Sequence, residues 1–208
     1  MCAAAQTETL RYSVSVPPGL SLGEGSISSA RSADTLKFGL FVDASLPGFA
    51  IKDRFAAEAT PGLCSVHFSK ESEHGTRKSS ETLEFDTGRS VVVRQTRGGG
   101  KSELPVKPCA RDALTALFHL RREMDAGRIP PPQTVFFGAQ YELKFDHEGI
   151  QRITLGQKQV EADKVIASLT GPVSELTVEL FLSREKGRVP LALRVPFALG
   201  VLSMELAQ

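Results

Sequence analysis

Three kinds of residue pattern in this 208-residue chain could do chemistry. Phe85-Asp86-Thr87-Gly88 contains the Asp-Thr-Gly of aspartic proteases, a mechanism that needs two carboxylates sharing one proton. No second Asp-Thr/Ser-Gly occurs, and Asp-x-Gly is also a common hairpin turn, so a turn is the expectation. Gly100-Lys101-Ser102 has the last residues of a phosphate-binding loop. That loop needs Gly at position 95, where Gln95 stands, and a helix directly after Ser102, which Pro105 and Pro108 prevent. His67, His74, His119 and His147 have no metal-ligand spacing and read as solvated side chains. There is no Gly-x-Ser-x-Gly elbow. No residue is therefore assigned to catalysis or to a metal, and no cofactor is expected.

Cys2, Cys64 and Cys109 form neither a metal spacing nor a dense disulfide scaffold. Cys64 sits in an alternating run and Cys109 opens a helical one, so a single Cys64–Cys109 bridge is open to the chain in an oxidising compartment. Two inert thiols is the plainer reading.

The remaining chemical group of interest is Arg121. The stretch from Pro108 to Arg128 carries the sustained helical period of the chain: Leu114, Leu117 and Phe118, with Ala113 and Met124, share one face. Arg111, Thr115, His119 and Arg122 fall away from that face, and Gly127 followed by Pro130 stops the helix. Arg121, four residues after Leu117, lies near the middle of the apolar stripe. A guanidinium there must snorkel, find a carboxylate or line a cavity, because an unpaired buried charge is too costly. The structural reading is an internal ion pair with Asp112 or a strand carboxylate. The functional one is a cation at a cavity wall, holding a carboxylate or phosphate head group, with Phe118 and Tyr141 as further lining.

Most of what must position this helix is strand. Thr9–Val16, Thr35–Ser45, Leu63–Lys70, Leu176–Leu182 and Val189–Phe197 alternate apolar with polar residues. Shorter runs occur around Leu83 and Phe85, Val91–Val93, Thr134–Phe137, Tyr141–Phe145, Ile153–Leu155, Val165–Leu169 and Val201–Leu206. A weaker strand is expected between Gly19 and Ser29, and Asp53–Glu58 is left open between helical turn and strand. Glu71–Ser80 reads as a charged hairpin tip, Gln95–Leu104 as a polar loop, and Asp146–Gly149 as a turn. About a dozen strands at hairpin spacing with one helix predict a mainly β fold. It is an antiparallel curved sheet, barrel or half-barrel, with the helix packed on or in it. Pro130-Pro131-Pro132 is the one stretch suited to a domain boundary, but both halves read alike, so residues 9–207 are expected to form one domain.

The totals exclude some functions. A net charge of +1 gives no electrostatic reason to expect nucleic acid or an anionic membrane surface. Twelve Phe, two Tyr and no Trp suit a core better than base stacking. No run is long enough to span a bilayer as a helix. Residues 1–8 read as a disordered start or as the end of a secretory signal, whose cleavage region favours small residues such as Ala3, Ala4 and Ala5.

The run from Asp112 to Arg121, with Gly127 after it, and the ending Leu180-Phe181-Leu182-Ser183, Val189-Pro190-Leu191 and Gly200–Leu206 resemble the exported bacterial proteins grouped as domain of unknown function 3108. The order of elements fits from about Leu10 to Leu206. The resemblance implies an exported, periplasmic chain without an established activity, and gives Asp112, Arg121, Pro190 and Gly200 as matches to characteristic family positions. The chain departs from the family pattern at Phe181, where Trp is frequent, and at Arg184-Glu185, where Asp is usual. The architecture is similar to that of periplasmic lipoprotein carriers. Two functional expectations follow. One is binding or carriage of a lipid-like ligand between sheet and helix. The other is a structural or interaction module of the envelope with a filled core and a protein partner, in which Asp112, Arg121, Leu114 and Leu117 are structural.

Overall fold

The computed structural model describes residues 6–16, 19–172, 174–197 and 200–207. The expected signal-derived start lies outside them through residue 5, as do Pro17 and Pro18 of the expected first turn. Strand structure already begins at Gln6. In chain order the elements are β1 (Gln6–Val16), β2 (Leu20–Arg31), β3 (Leu36–Leu46), β4 (Phe49–Ala59), β5 (Ser65–His74), β6 (Arg77–Asp86), β7 (Val91–Thr96), β8 (Lys101–Pro105) and β9 (Arg111–Asp112). The helix α1 (Ala113–Asp125) follows, then β10 (Gln133–Phe137), β11 (Ala139–Leu155), β12 (Lys158–Thr170), β13 (Glu175–Ser183), β14 (Pro190–Phe197) and β15 (Gly200–Leu206). All fifteen described strands belong to one sheet, ordered β8-β7-β6-β5-β4-β3-β2-β1-β15-β14-β13-β12-β11-β10-β9. The order is a sequential meander except at β1–β15, where the two ends of the chain pair antiparallel. The predicted antiparallel, mainly β fold with one helix is what the chain adopts, and its sheet is unclosed.

Packing divides the chain into two compact units. Unit 1 takes Gly25–Ala116 with the residues up to Leu10, and unit 2 takes Arg11–Glu24 with Leu117 onwards. The division falls inside β1, β2 and α1 rather than at Pro130.

In unit 1 the two faces of β3–β6 differ by register. Phe38, Ala57, Phe68 and Leu83 lie directly opposite one another across the four strands, and all four are buried. The other face carries charge in cross-strand rows. Lys37 meets Glu58 at 2.7 Å, His67 meets Glu84 at 2.7 Å, and Lys78 meets Glu73 at 3.0 Å. A one-residue slip would bury these charges and expose the phenylalanines, so the alternation fixes the register. Asp53–Glu58 belongs to β4 and is strand. The expected loop Gln95–Leu104 is instead the β7–β8 hairpin, turning at 97–100 with Gly98 and Gly99 at φ +113° and +100°. Its side chains are polar because β8 ends the sheet and is mostly exposed, which hides the strand period. Glu71 and Ser80 likewise lie within strands, and the turn between β5 and β6 is confined to 75–76.

In unit 2, Val14, Met204, Leu193, Leu180 and Val165 form the equivalent buried row. The expected turn at Asp146–Gly149 is a β-bulge inside β11: His147 pairs with Val165 but Gly149 with Lys164, leaving Glu148 as the extra residue. The bulge moves the following odd-numbered residues to the opposite face. Leu143 and Phe145 pack on one side of the sheet. Ile153 and Leu155 pack on the other, in a separate cluster with Ala162, Phe181 and Ala192.

The helix departs from expectation in its breadth of burial. Leu114, Thr115, Ala116, Leu117, Phe118, Leu120, Arg121 and Met124 are all buried, so in its N-terminal two turns only Ala113 and His119 are half-exposed. It ends as predicted. Gly127 takes φ +74°, its N–H donates to Met124 O, and Arg128 N–H donates back to Glu123 O. Among the described residues no helix is long and apolar enough to cross a membrane.

Candidate functional site

The N-terminus of α1 is built in unit 1 from a carboxylate and two hydroxyls. Asp112, fully buried, is the N-cap: its Oδ1 accepts Thr115 N–H at 2.8 Å and its Oδ2 accepts the Thr115 hydroxyl at 2.6 Å. Ser65 Oγ donates to Oδ2 at 2.5 Å and accepts Asp112 N–H at 2.8 Å, while Ser65 N–H donates to Ala110 O. Immediately before these partners, Cys64 and Cys109 form a disulfide, where two free thiols had been the plainer expectation. The bridge spans 45 residues of sequence, so the pairing carries no local sequence signal. Leu63 and Cys109 both take positive φ, near +59°, a cost the bridge and cap hold in place. Burial pushes the Asp112 carboxyl above the ordinary aspartate range, and the hydrogen bonds from Ser65 and Thr115 pull against it. Thr115, placed off the apolar face by periodicity, is buried because this cap satisfies its hydroxyl.

The other end of the helix lies in unit 2. Arg121 is 7% exposed. Its Nε donates to the backbone carbonyls of Gly187 and Arg188 at 3.0 and 3.1 Å, and its guanidinium lies 5.1 Å from the Phe118 ring centre. One turn further, Asp125 Oδ1 accepts Gly187 N–H at 3.0 Å. The β13–β14 turn is thus held by the helix through its backbone. The Arg188 side chain in turn meets Asp163, whose other oxygen is 2.9 Å from His147 Nε2. Of the three expected lining residues, Arg121 and Phe118 are together. Tyr141 has its hydroxyl 3.0 Å from Ser174 Oγ and its ring filling the space above Gly171. Leu114 and Leu117 are buried as core. Pro190 opens β14 and its carbonyl accepts the Tyr12 hydroxyl at 2.8 Å. Gly200 opens β15 with φ +133°.

The remaining sequence candidates resolve into structure. Asp86 Oδ1 accepts Arg89 N–H at 2.9 Å, the expected hairpin turn. Gly100-Lys101-Ser102 leads into β8. The histidines expected to be solvated each approach a carboxylate: Glu84, Asp53, Glu123 and Asp163 in turn. Among the described residues no cluster of His, Cys, Asp or Glu is placed to hold a metal ion.

A further polar set lies on the buried face of unit 1. Glu81 follows the parity of Leu83 and Phe85 and is 8% exposed. Its Oε2 accepts both Nε and Nη2 of Arg94, at 3.0 and 2.9 Å. Sequence reading passed over it, although a glutamate in register with Leu83 and Phe85 is itself the signal. The pair lies where the face turns polar on β5 and β6 while β3 stays apolar: Leu40, Phe55, Lys70, Glu81 and Thr96 form one cross-strand row, and Val42, Asp53, Ser72 and Ser79 form the next.

Fold and site together define a class: single-sheet, mainly β proteins with one buried helix capped by an internal aspartate and tethered by a disulfide. Within that class the chain belongs to the family described as protein of unknown function DUF3108, which it matches over residues 11–207. It is similar in fold to a solved structure, the crystal structure of a beta-barrel-like protein of domain of unknown function DUF1849 from Brucella abortus. That similarity has a TM-score of 0.65 at 9% identity and covers 96% of this chain and 95% of that one. No curated protein matches the chain.

Proposed function

We propose that this chain is a non-enzymatic, exported protein of the bacterial cell envelope that binds a lipid-like ligand. The observation that carries this reading is the gradient along the buried face of unit 1. Phe38, Phe68, Leu83 and Phe85 are buried and Leu40 and Phe55 half-buried; toward β5–β7 the face carries Lys70, Glu81 and Arg94, while on β3 and β4 Val42, Ala44 and Ile51 stay buried around Asp53. An amphiphile matches such a face, with its tail against the phenylalanines and its head at the polar rim. The Cys64–Cys109 bridge supports export, since disulfides persist in oxidising compartments. A second reading, an envelope interaction module with a filled core, is favoured by Arg121. Its contacts with two carbonyls and Phe118 fit the internal tie that was one of the two readings of this residue.

Native mass spectrometry of gently purified protein, followed by organic extraction, separates the two. The lipid-binding reading predicts co-purifying lipid, or one-to-one uptake of a fluorescent fatty acid by the stripped protein. A protein that is empty and takes up none leaves the interaction module.

A further inference from the structure

We propose that Glu81 and Ser72 receive the head group of an uncharged, hydroxyl-bearing amphiphile on the buried face of unit 1, an assignment that rests on the lipid-binding reading above. Glu81 Oε1 and Ser72 Oγ are buried and have no hydrogen-bond partner among the described residues. Buried polar atoms are almost always satisfied, and an orphaned one costs its full desolvation, so two orphans close together call for an occupant. They are close by register. Glu81 lies opposite Lys70 and Ser72 opposite Ser79, in adjacent rows of the same face. Diagonal neighbours of this kind stand about 7–8 Å apart.

The chemistry of the two atoms restricts the occupant. A carboxylate oxygen only accepts, so the ligand must donate to Oε1, while Ser72 Oγ can donate or accept. Arg94 already neutralises Glu81 through two bonds to Oε2, so a cationic head is not required. An anionic head would face the lone pairs of Oε1 with no proton to offer. A neutral head with two hydroxyls, such as an acylglycerol, fits both atoms, and its chain would lie along Phe55, whose ring is 6.3 Å from that of Phe68. This differs from the carboxylate or phosphate head group of the functional reading of Arg121.

The test titrates the whole protein with monooleoylglycerol and with oleate, following binding by native mass spectrometry and the backbone amides of Ser72, Glu81 and Arg94 by NMR. Monooleoylglycerol is expected to bind more tightly than oleate and to shift those amides. Glu81→Gln and Ser72→Ala should each weaken it by about tenfold, the value of one lost buried hydrogen bond, while leaving oleate unchanged. Should Glu81→Gln fail to fold, Ser72→Ala removes only a hydroxyl and carries the test. If oleate binds equally well and neither variant matters, the head-group assignment is overturned while lipid binding stands. If neither lipid binds and ordered water occupies both oxygens, the assignment and the lipid reading fall together.

Discussion

Asp112 accepts three hydrogen bonds, two from Thr115 and one from Ser65, and is nevertheless held above the ordinary aspartate range by burial. The consequence for stability has a definite sign. Because its folded pKa exceeds the unfolded value of about 3.9, the native state binds the extra proton between the two. Its contribution is complete below the unfolded value and is lost as pH rises through the folded one. Asp112→Asn keeps a capping oxygen and removes the titration. The difference in urea midpoint between wild type and variant should therefore shift with rising pH against the wild type, and a pH-independent difference would refute the raised pKa. At this scale the sequence was partly legible. Arg121 stood out because its charge fell on an apolar stripe, and Asp112 as its candidate partner and as a match to a characteristic family position. Their partners did not, because every residue has a carbonyl and the choice of Gly187 and Arg188 depends on a distant turn.

β11 shows how much one residue can decide within an element. Before the bulge Leu143 and Phe145 serve the main packing of unit 2, and after it Ile153 and Leu155 serve a second cluster on the reverse face. Deleting Glu148 restores unbroken alternation and turns Ile153 and Leu155 away from Phe181. By urea denaturation this should cost about 3 kcal/mol or more, the burial of two aliphatic side chains. Glu148→Ala removes only the half-exposed pair with Lys164 and should cost under about 1 kcal/mol. Equal losses would show that the bulge is not what aims the hairpin. The sequence showed both halves of β11 but put a turn between them, since Asp146-His147-Glu148-Gly149 has turn composition. Strands with one clean apolar face, such as β1 and β3, were legible because their period is local; in β5 a register shift leaves Val66 exposed and Ser65 buried, against the alternation. β8 was not, because an exposed edge has no apolar face to alternate with.

On the scale of the whole molecule, no local pattern marks how the chain is partitioned. Composition offered Pro130 as the one stretch suited to a boundary and favoured a single domain, whereas the two compact units trade segments within β1, β2 and α1. The pairing of β1 with β15 joins residues nearly 200 positions apart, for instance Tyr12 with Leu206. Such a contact is specified by complementarity rather than by any short pattern. The family resemblance did cover this scale, because order of elements is what it compares. The disulfide has a consequence here too. Cys64 and Cys109 close a covalent ring that contains β5, β6, β7 and β8, and the exposed turn at Arg97 lies on its circumference. Trypsin admitted at Arg97 opens the ring without dividing the polypeptide. A denaturing gel should show one undiminished band until a thiol is added, and then two fragments; separation without the thiol would mean that the ring had never been closed.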